Sequence, residues 1–186
     1  YSAWSGPVTV DYTGQLDASF LGLATGTGNV RNLQHVIGGS AADSLTAGGM
    51  PVWFEGGGGN DSLQGSMQGD LLEGGAGDDS LAGRFGDDTL RGGRGSDTLA
   101  GGFGNDTYAF LDLFGGDTII ELPGEGADRM DFSLVTVPLE IRLGSVTVTD
   151  GASTAAHAGD AIEQVIGGMA DDAFVMTGPT VVFPGT

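Results

Sequence analysis

Large apolar residues recur every nine positions through the middle of the chain, most of them standing alone between small or polar neighbours. From Leu45 the series runs Phe54, Leu63, Leu72, Leu81, Leu90, Leu99 and Tyr108. Such a period fits neither the 3.6-residue turn of an amphipathic helix nor the alternation of a long strand. It marks a repeated supersecondary unit. Around each apolar residue the sequence predicts a very short strand with one side chain turned inward. Two nonapeptides then close one coil of 18 residues, with a strand on each face and a turn on each edge. Leu45, Leu63, Leu81 and Leu99 are predicted to stack in one sheet, and Phe54, Leu72, Leu90 and Tyr108 in the other. The predicted class is all-β: a right-handed parallel β-roll, or solenoid, of 18-residue coils between wider, more apolar flanking coils.

The polar positions keep the same phase. Six rows, from GGGGNDSLQ (56–64) to GGFGNDTYA (101–109), follow G-G-x-G-x-D-x-U-x, with U a large apolar residue. Position 6 is Asp in all six: Asp61, Asp70, Asp79, Asp88, Asp97 and Asp106. The full glycine set stands at Gly56, Gly57 and Gly59, at Gly74, Gly75 and Gly77, at Gly92, Gly93 and Gly95, and at Gly101, Gly102 and Gly104. Rows 65–73 and 83–91 depart from it through Ser66 and Gln68 in one and Arg84 in the other. Upstream, GGSAADSLT (38–46) keeps Asp43 but has Ala41 in place of Gly, and AGGMPVWFE (47–55) puts Val52 where Asp is expected.

This pattern resembles the haemolysin-type calcium-binding repeat, the RTX nonapeptide of bacterial proteins exported by type I secretion. The resemblance covers about residues 38–109. It implies a calcium-binding module of a secreted or cell-surface protein, with the rest of a larger parent chain and the type I secretion machinery as partners.

The spacing explains the cation independently of the family. Position 6 carboxylates 18 residues apart fall one above another, pairing Asp43/Asp61, Asp61/Asp79 and Asp79/Asp97 on one edge and Asp70/Asp88 and Asp88/Asp106 on the other. Neighbouring strands lie about 4.8 Å apart, so bare carboxylates repel, and a hard cation between them turns repulsion into ligation. Turn carbonyls complete an oxygen shell that suits Ca²⁺ better than Mg²⁺. Zn²⁺ and copper call for His or Cys, which these rows lack. About four to six calcium ions are expected on this arithmetic. The Asp70/Asp88 pair, with irregular turn residues on one side, is expected to be weaker, and Ala41 and Ala42 count against Asp43/Asp61. At position 5, Asp78 and Asp87 are expected to point to solvent and add negative field.

Beyond Ala109 the strict period stops. Asp106, Asp117 and Asp128 follow at intervals of eleven, and Asp117 and Asp128 are candidates for further ions. Phe110, Phe114, Ile119, Ile120, Met130 and Phe132 are expected to form a thick apolar cap, which a solenoid end needs. A second internal similarity aligns 32–48 with 161–178: Val36-Ile37-Gly38-Gly39 matches Val165-Ile166-Gly167-Gly168, and Asp43 matches Asp172. That match favours a strand over a helix within 154–166, although the Ala-rich stretch would permit either. The expected organisation is an N-terminal cap over 1–37, the repeat array over 38–109, closing coils over 110–133 and C-terminal wide coils over 134–186. The chain opens on Tyr1 without a recognisable signal peptide, and the reading expects it to be a piece of something longer.

Composition narrows the function. There are 25 acidic residues against 6 basic ones, a formal net charge of −19, and 37 glycines in 186 residues. A nucleic-acid partner is excluded for want of clustered positive charge, and no apolar run is long enough to insert in a membrane. With no Cys there is no disulfide and no thiol chemistry. His35 and His157 are expected to be surface or lateral hydrogen-bonding residues. No G-x-S-x-G elbow occurs, and the well-placed carboxylates are engaged by calcium, so no enzyme is expected. Three contexts stay open: a folding and secretion module of an enzyme or toxin, a structural segment of a large adhesin, and a polysaccharide-associated module. For the last, Arg84, Arg91 and Arg94 would have to form a basic patch.

Overall fold

A single inward side chain per nonapeptide leaves room for only a thin core, so the coils must stack tightly to bury it. The structure, a computed structural model, describes residues 9–11, 35–122, 124–143, 146–157 and 161–176. The predicted N-terminal cap over 1–37 lies mostly outside these residues. Those described form strands and no helix. In chain order the strands are β1 (Thr9–Asp11), β2 (His35–Ile37), β3 (Ser44–Thr46), β4 (Trp53–Gly58), β5 (Ser62–Gln64), β6 (Leu71–Ala76), β7 (Ser80–Phe85) and β8 (Thr89–Arg94). Then come β9 (Thr98–Phe103), β10 (Thr107–Ala109), β11 (Gly116–Ile120), β12 (Asp128–Asp131), β13 (Glu140–Leu143), β14 (Thr147–Thr149), β15 (Thr154–His157), β16 (Ile162–Ile166) and β17 (Ala173–Met176).

Successive strands alternate between two sheets as far as β13, and β13, β14 and β15 then share one sheet. One runs β1-β3-β5-β7-β9-β11-β15-β14-β13-β17 and the other β16-β12-β10-β8-β6-β4-β2. Within the array every pairing is parallel and in the 18-residue register. Leu45 sits beside Leu63, Leu63 beside Leu81 and Leu81 beside Leu99. Opposite them Phe54 pairs with Leu72, Leu72 with Leu90 and Leu90 with Tyr108. All eight are buried. This is the expected β-roll, with one apolar ladder per sheet.

The cap forms largely as expected. Phe110 stacks on Phe132 with ring centroids 4.3 Å apart, and Phe114 meets both edge-on at 5.3 and 5.5 Å. Ile119 and Met130 are buried beside them, but Ile120 is half exposed and leaves the predicted core. Strand alternation explains this, since Ile119 and Ile120 must face opposite sides of β11. Residues 154–157 and 162–166 are strands, as the match to 32–37 favoured. The C-terminal coils differ from a simple parallel roll, because β13, β14 and β15 pair antiparallel before β13 meets β17 in parallel. An antiparallel return needs only a short turn, whereas a parallel return needs a full crossover.

Where glycine stands at positions 2 and 4 of the six rows over 56–109, its φ is positive. Gly93 has φ +111°, and a Cβ there would collide with the carbonyl oxygen of Gly75 in the neighbouring coil. Gly151 has φ +91° with open space around it. The left-handed conformation alone costs a non-glycine residue about 1–2 kcal/mol. Gly151→Ala is therefore expected to lose about that much, and Gly93→Ala distinctly more because a coil must move. Thermal melting of the two variants in calcium checks the ranking, and equal losses would contradict it. Arg84 keeps the turn at φ +87° without being glycine.

Candidate metal centres

The position 6 aspartates are held by the turns that join the sheets, and backbone pairing sets them into two ladders. On one edge the Asp43 N–H donates to Asp61 Oδ1 and the Asp61 N–H to Asp79 Oδ1, both at 2.7 Å. The Asp79 N–H continues to Asp97 Oδ1 at 2.8 Å and the Asp97 N–H to Asp117 Oδ1 at 3.1 Å. On the other edge the N–H groups of Val52, Asp70 and Asp88 donate to Asp70, Asp88 and Asp106, each at 2.7 Å. The Asp106 N–H then reaches Asp128 Oδ1 at 2.8 Å. Asp117 and Asp128, eleven apart in sequence, thus extend opposite edges.

One oxygen of each carboxylate serves the neighbouring backbone; the fate of the other separates the sites. In Asp61, Asp79, Asp88, Asp97, Asp106 and Asp117 the Oδ2 atom is buried without a hydrogen-bond partner. Asp43 and Asp70 differ. Gly39 N–H donates to Asp43 Oδ2 at 2.6 Å and Ser66 N–H to Asp70 Oδ2 at 2.5 Å. Their turns depart from the glycine pattern through Ala41 and through Ser66 and Gln68, whereas Asp88, in the row that carries Arg84, keeps its unpartnered oxygen. The Ser66 turn is closed further by Gln68 N–H on Ser66 Oγ at 3.0 Å.

A buried acceptor left unpaired is costly, and burial of the charged form dominates the electrostatics. It pushes Asp61 and Asp106 up to about 6, Asp79 to about 7, and Asp88 and Asp117 to about 8. Asp70, Asp97 and Asp128 are raised for the same reason. Hydrogen bonds from the neighbouring coil oppose the shift in each case without cancelling it.

The position 1 glycines frame these oxygens. A Cβ on Gly56 or Gly74 would collide with Oδ2 of Asp61 or Asp79 and with the carbonyl oxygen of the next coil's first glycine, and Gly83 does the same for Asp88. Each cradle therefore brings an unpartnered carboxylate oxygen and a backbone carbonyl to one place. Hard oxygen donors of this kind fit Ca²⁺.

Several expectations change. Asp78 and Asp87 are exposed but not idle. Asp78 Oδ1 accepts from Ser96 N–H at 2.9 Å and Asp87 Oδ1 from Asn105 N–H at 2.8 Å, while Asn60 Oδ1 accepts from Asp78 N–H at 3.0 Å. Position 5 thus makes a second, outer ladder. The two histidines take the two expected places: His35, at the surface, bonds Glu55 at 2.7 Å and stacks on Trp53, and His157, buried, bonds laterally with Nδ1 3.2 Å from the Ile119 carbonyl. The basic patch does not form: Arg84 lies on β7 in one sheet, while Arg91 and Arg94 lie on β8 in the other and Arg91 is paired with Glu73 at 2.9 Å.

Three acidic residues join the edges without belonging to the nonapeptide frame. Glu163 Oε2 accepts from Asp128 N–H at 2.7 Å, taking the place of an aspartate one coil further on. Asp172 accepts from Leu139 N–H and Gly168 N–H at 3.0 and 2.7 Å, repeating the geometry of Asp43 as the internal similarity suggested. Glu121 lies buried beside Asp106 and Asp128, with ligand atoms of all three within 4.8 Å of one another. No helix among the described residues is long and apolar enough to cross a membrane.

Comparison with protein-family models matches residues 37–72, 53–81 and 73–108 to the RTX calcium-binding nonapeptide repeat, in four copies. Comparison with curated protein sequences gives no match. The paired aspartates, the glycine cradles and this match agree, and residues 37–108 are an array of RTX calcium-binding repeats wound as a β-roll.

Proposed function

We propose that the chain is a non-catalytic module of a secreted or cell-surface bacterial protein, and that calcium switches its folding. The observation that carries this reading is the row of buried, unpartnered Oδ2 atoms on both edges. Asp61, Asp79, Asp97 and Asp117 would hold ions on one edge, and Asp88, Asp106 and Asp128 on the other, with carbonyls from the glycine turns completing each shell. Bound calcium supplies positive charge that the buried carboxylates lack. About four to six ions fit this arrangement, and Asp43 and Asp70, whose second oxygens are taken by backbone N–H groups, contribute least.

Without the ion, buried like charges and the conformational freedom of 37 glycines oppose folding. In calcium-poor cytoplasm the chain stays unfolded, and extracellular calcium orders it, because ion-binding free energy becomes folding free energy. That behaviour suits passage through a type I exporter. One observation favours a second reading, a structural segment of a large adhesin. The coil over 161–176 repeats the Gly-Gly and Asp arrangement of the coil over 37–46, as tandem surface modules would.

Far-UV circular dichroism during a calcium titration tests the switch. The expected result is a cooperative passage from coil to β-structure with calcium and none with magnesium at equal concentration. A β spectrum that persists unchanged in chelator would make the roll a static scaffold and sink the proposal.

A further inference from the structure

We propose that Glu121 is a cation ligand that closes the Asp106 edge of the array, forming with Asp106 and Asp128 a three-carboxylate calcium site unlike the repeat sites. The inference rests on the calcium reading above and concerns a residue that the nonapeptide frame does not reach.

At Gly56, Gly65, Gly74 and Gly83, an added Cβ would meet the Oδ2 of that row's own aspartate and the carbonyl oxygen of the first glycine one coil ahead. Gly101 has no such successor, because the following coil is irregular: Asp128 follows Asp106 after 22 residues. At Gly101 the added Cβ would meet Asp106 Oδ2 and, in place of a carbonyl, Oε1 of Glu121. A side chain just past the end of β11 thus fills the position that a backbone carbonyl fills beside those four glycines.

The carboxylate is fixed on one side and open on the other. Glu121 Oε1 accepts from Gly101 N–H at 3.1 Å and from the Tyr108 hydroxyl, and that hydroxyl oxygen itself accepts from Gly101 N–H at 2.7 Å. Tyr108 departs from the Leu that precedes it at position 8, and its hydroxyl serves as a strut for Glu121. The remaining oxygen, Oε2, is buried without a partner, as is Oδ2 of Asp106. Glu121 is only 6% exposed, and Asp106 and Asp128 are 1% exposed each. An unpaired carboxylate this deep would ordinarily turn outward or acquire a hydrogen-bond donor. Here it meets two further carboxylates, an arrangement that a bound cation relieves. Three anionic ligands in place of two and a neutral carbonyl raise the charge of the site, and ligand charge is a main determinant of calcium affinity. The closing site is therefore the tightest of the array.

The test compares the whole chain with Glu121→Gln and, as a reference within the repeats, Asp79→Asn. Bound calcium is counted by native mass spectrometry, and affinity classes are resolved by calorimetric titration. Gln keeps an oxygen acceptor for Gly101 and Tyr108 and removes only the charge. Glu121→Gln is expected to weaken the tightest class at least about tenfold or to lose one ion, with the β spectrum still reached at higher calcium. If Asp79→Asn loses binding and Glu121→Gln leaves the tightest class unchanged, the proposal falls and the repeat sites stand. Binding unchanged in both variants overturns the assignment of both carboxylates as ligands, and an unaltered chain that binds no calcium overturns the calcium reading itself and the proposal with it. A variant-free measurement guards against misfolding. Terbium-loaded crystals of the unaltered chain should give an anomalous peak between Asp106, Glu121 and Asp128, and peaks at repeat sites with none there would overturn the assignment.

Discussion

Replacing Asp79 and Asp88 together by Asn is expected to stabilise the calcium-free chain and to destabilise the calcium-loaded one. One oxygen of each residue accepts from the preceding coil's backbone, Asp79 from the Asp61 N–H and Asp88 from the Asp70 N–H. An amide oxygen preserves both bonds. The other oxygen is buried and unpartnered in each case, and replacing it with an uncharged amide removes the desolvation that pushes these groups up to about 7 and 8. In chelator the double variant should therefore melt higher, or retain more β-structure, than the parent. In calcium it loses a charged ligand from both edges. The calcium midpoint of folding should rise about tenfold or more, with each tenfold worth about 1.4 kcal/mol. Melts in chelator and in about 10 mM calcium, well above the affinity range of extracellular calcium modules, give the two signs directly. A variant less stable under both conditions would mean that these aspartates act as ordinary turn residues.

Truncation of the apolar ladder has the second large effect. Leu90 is fully buried between Leu72 and Tyr108 within its own sheet, and the core has only the opposite ladder behind it. Large-to-small core substitutions cost about 2–5 kcal/mol. Leu90→Ala should fall in the upper half of that range, because coils in a stacked solenoid have no alternative neighbours to close the gap. Ile120→Ala, on the exposed side of β11, should stay within about 0.5 kcal/mol. Thermal unfolding in saturating calcium measures both, and hydrogen exchange should show protection lost around the coil that carries Leu90. A Leu90 variant as stable as the Ile120 variant would mean that calcium alone holds the coils together.

The array was legible in the sequence because each element of it is local and periodic. Position 8 gave the core, positions 1, 2 and 4 gave the turns, and position 6 gave both edge ladders. Asp117 and Asp128 were reachable too, since their spacing still alternates edges. What escaped lies where the period ends. Glu121 reaches Asp106 through a coil of irregular length, so no fixed offset points to it, and Tyr108 read only as a large apolar residue although its hydroxyl holds Glu121 in place. The position 5 ladder was missed for another reason: exposure suggested solvated side chains, yet an exposed Asx oxygen can still satisfy a backbone N–H one coil away. The antiparallel turn-back of β13 to β15 was hidden because alternation over 138–150 marks strands without giving their direction.

The aromatic cluster of Phe110, Phe114 and Phe132 lies on the C-terminal side of the array, and this gives the roll a direction. A glycine-rich coil has little chance of ordering alone, whereas the coil resting on those rings starts on a preformed floor. Order should then advance coil by coil from Tyr108 towards Val36, each completed turn presenting half a cation site to the next. Growth of this kind behaves as a ratchet whose pawl is the bound ion: retreat requires an ion to leave first. Calcium concentration would therefore govern how far along the chain order extends as well as whether the roll forms.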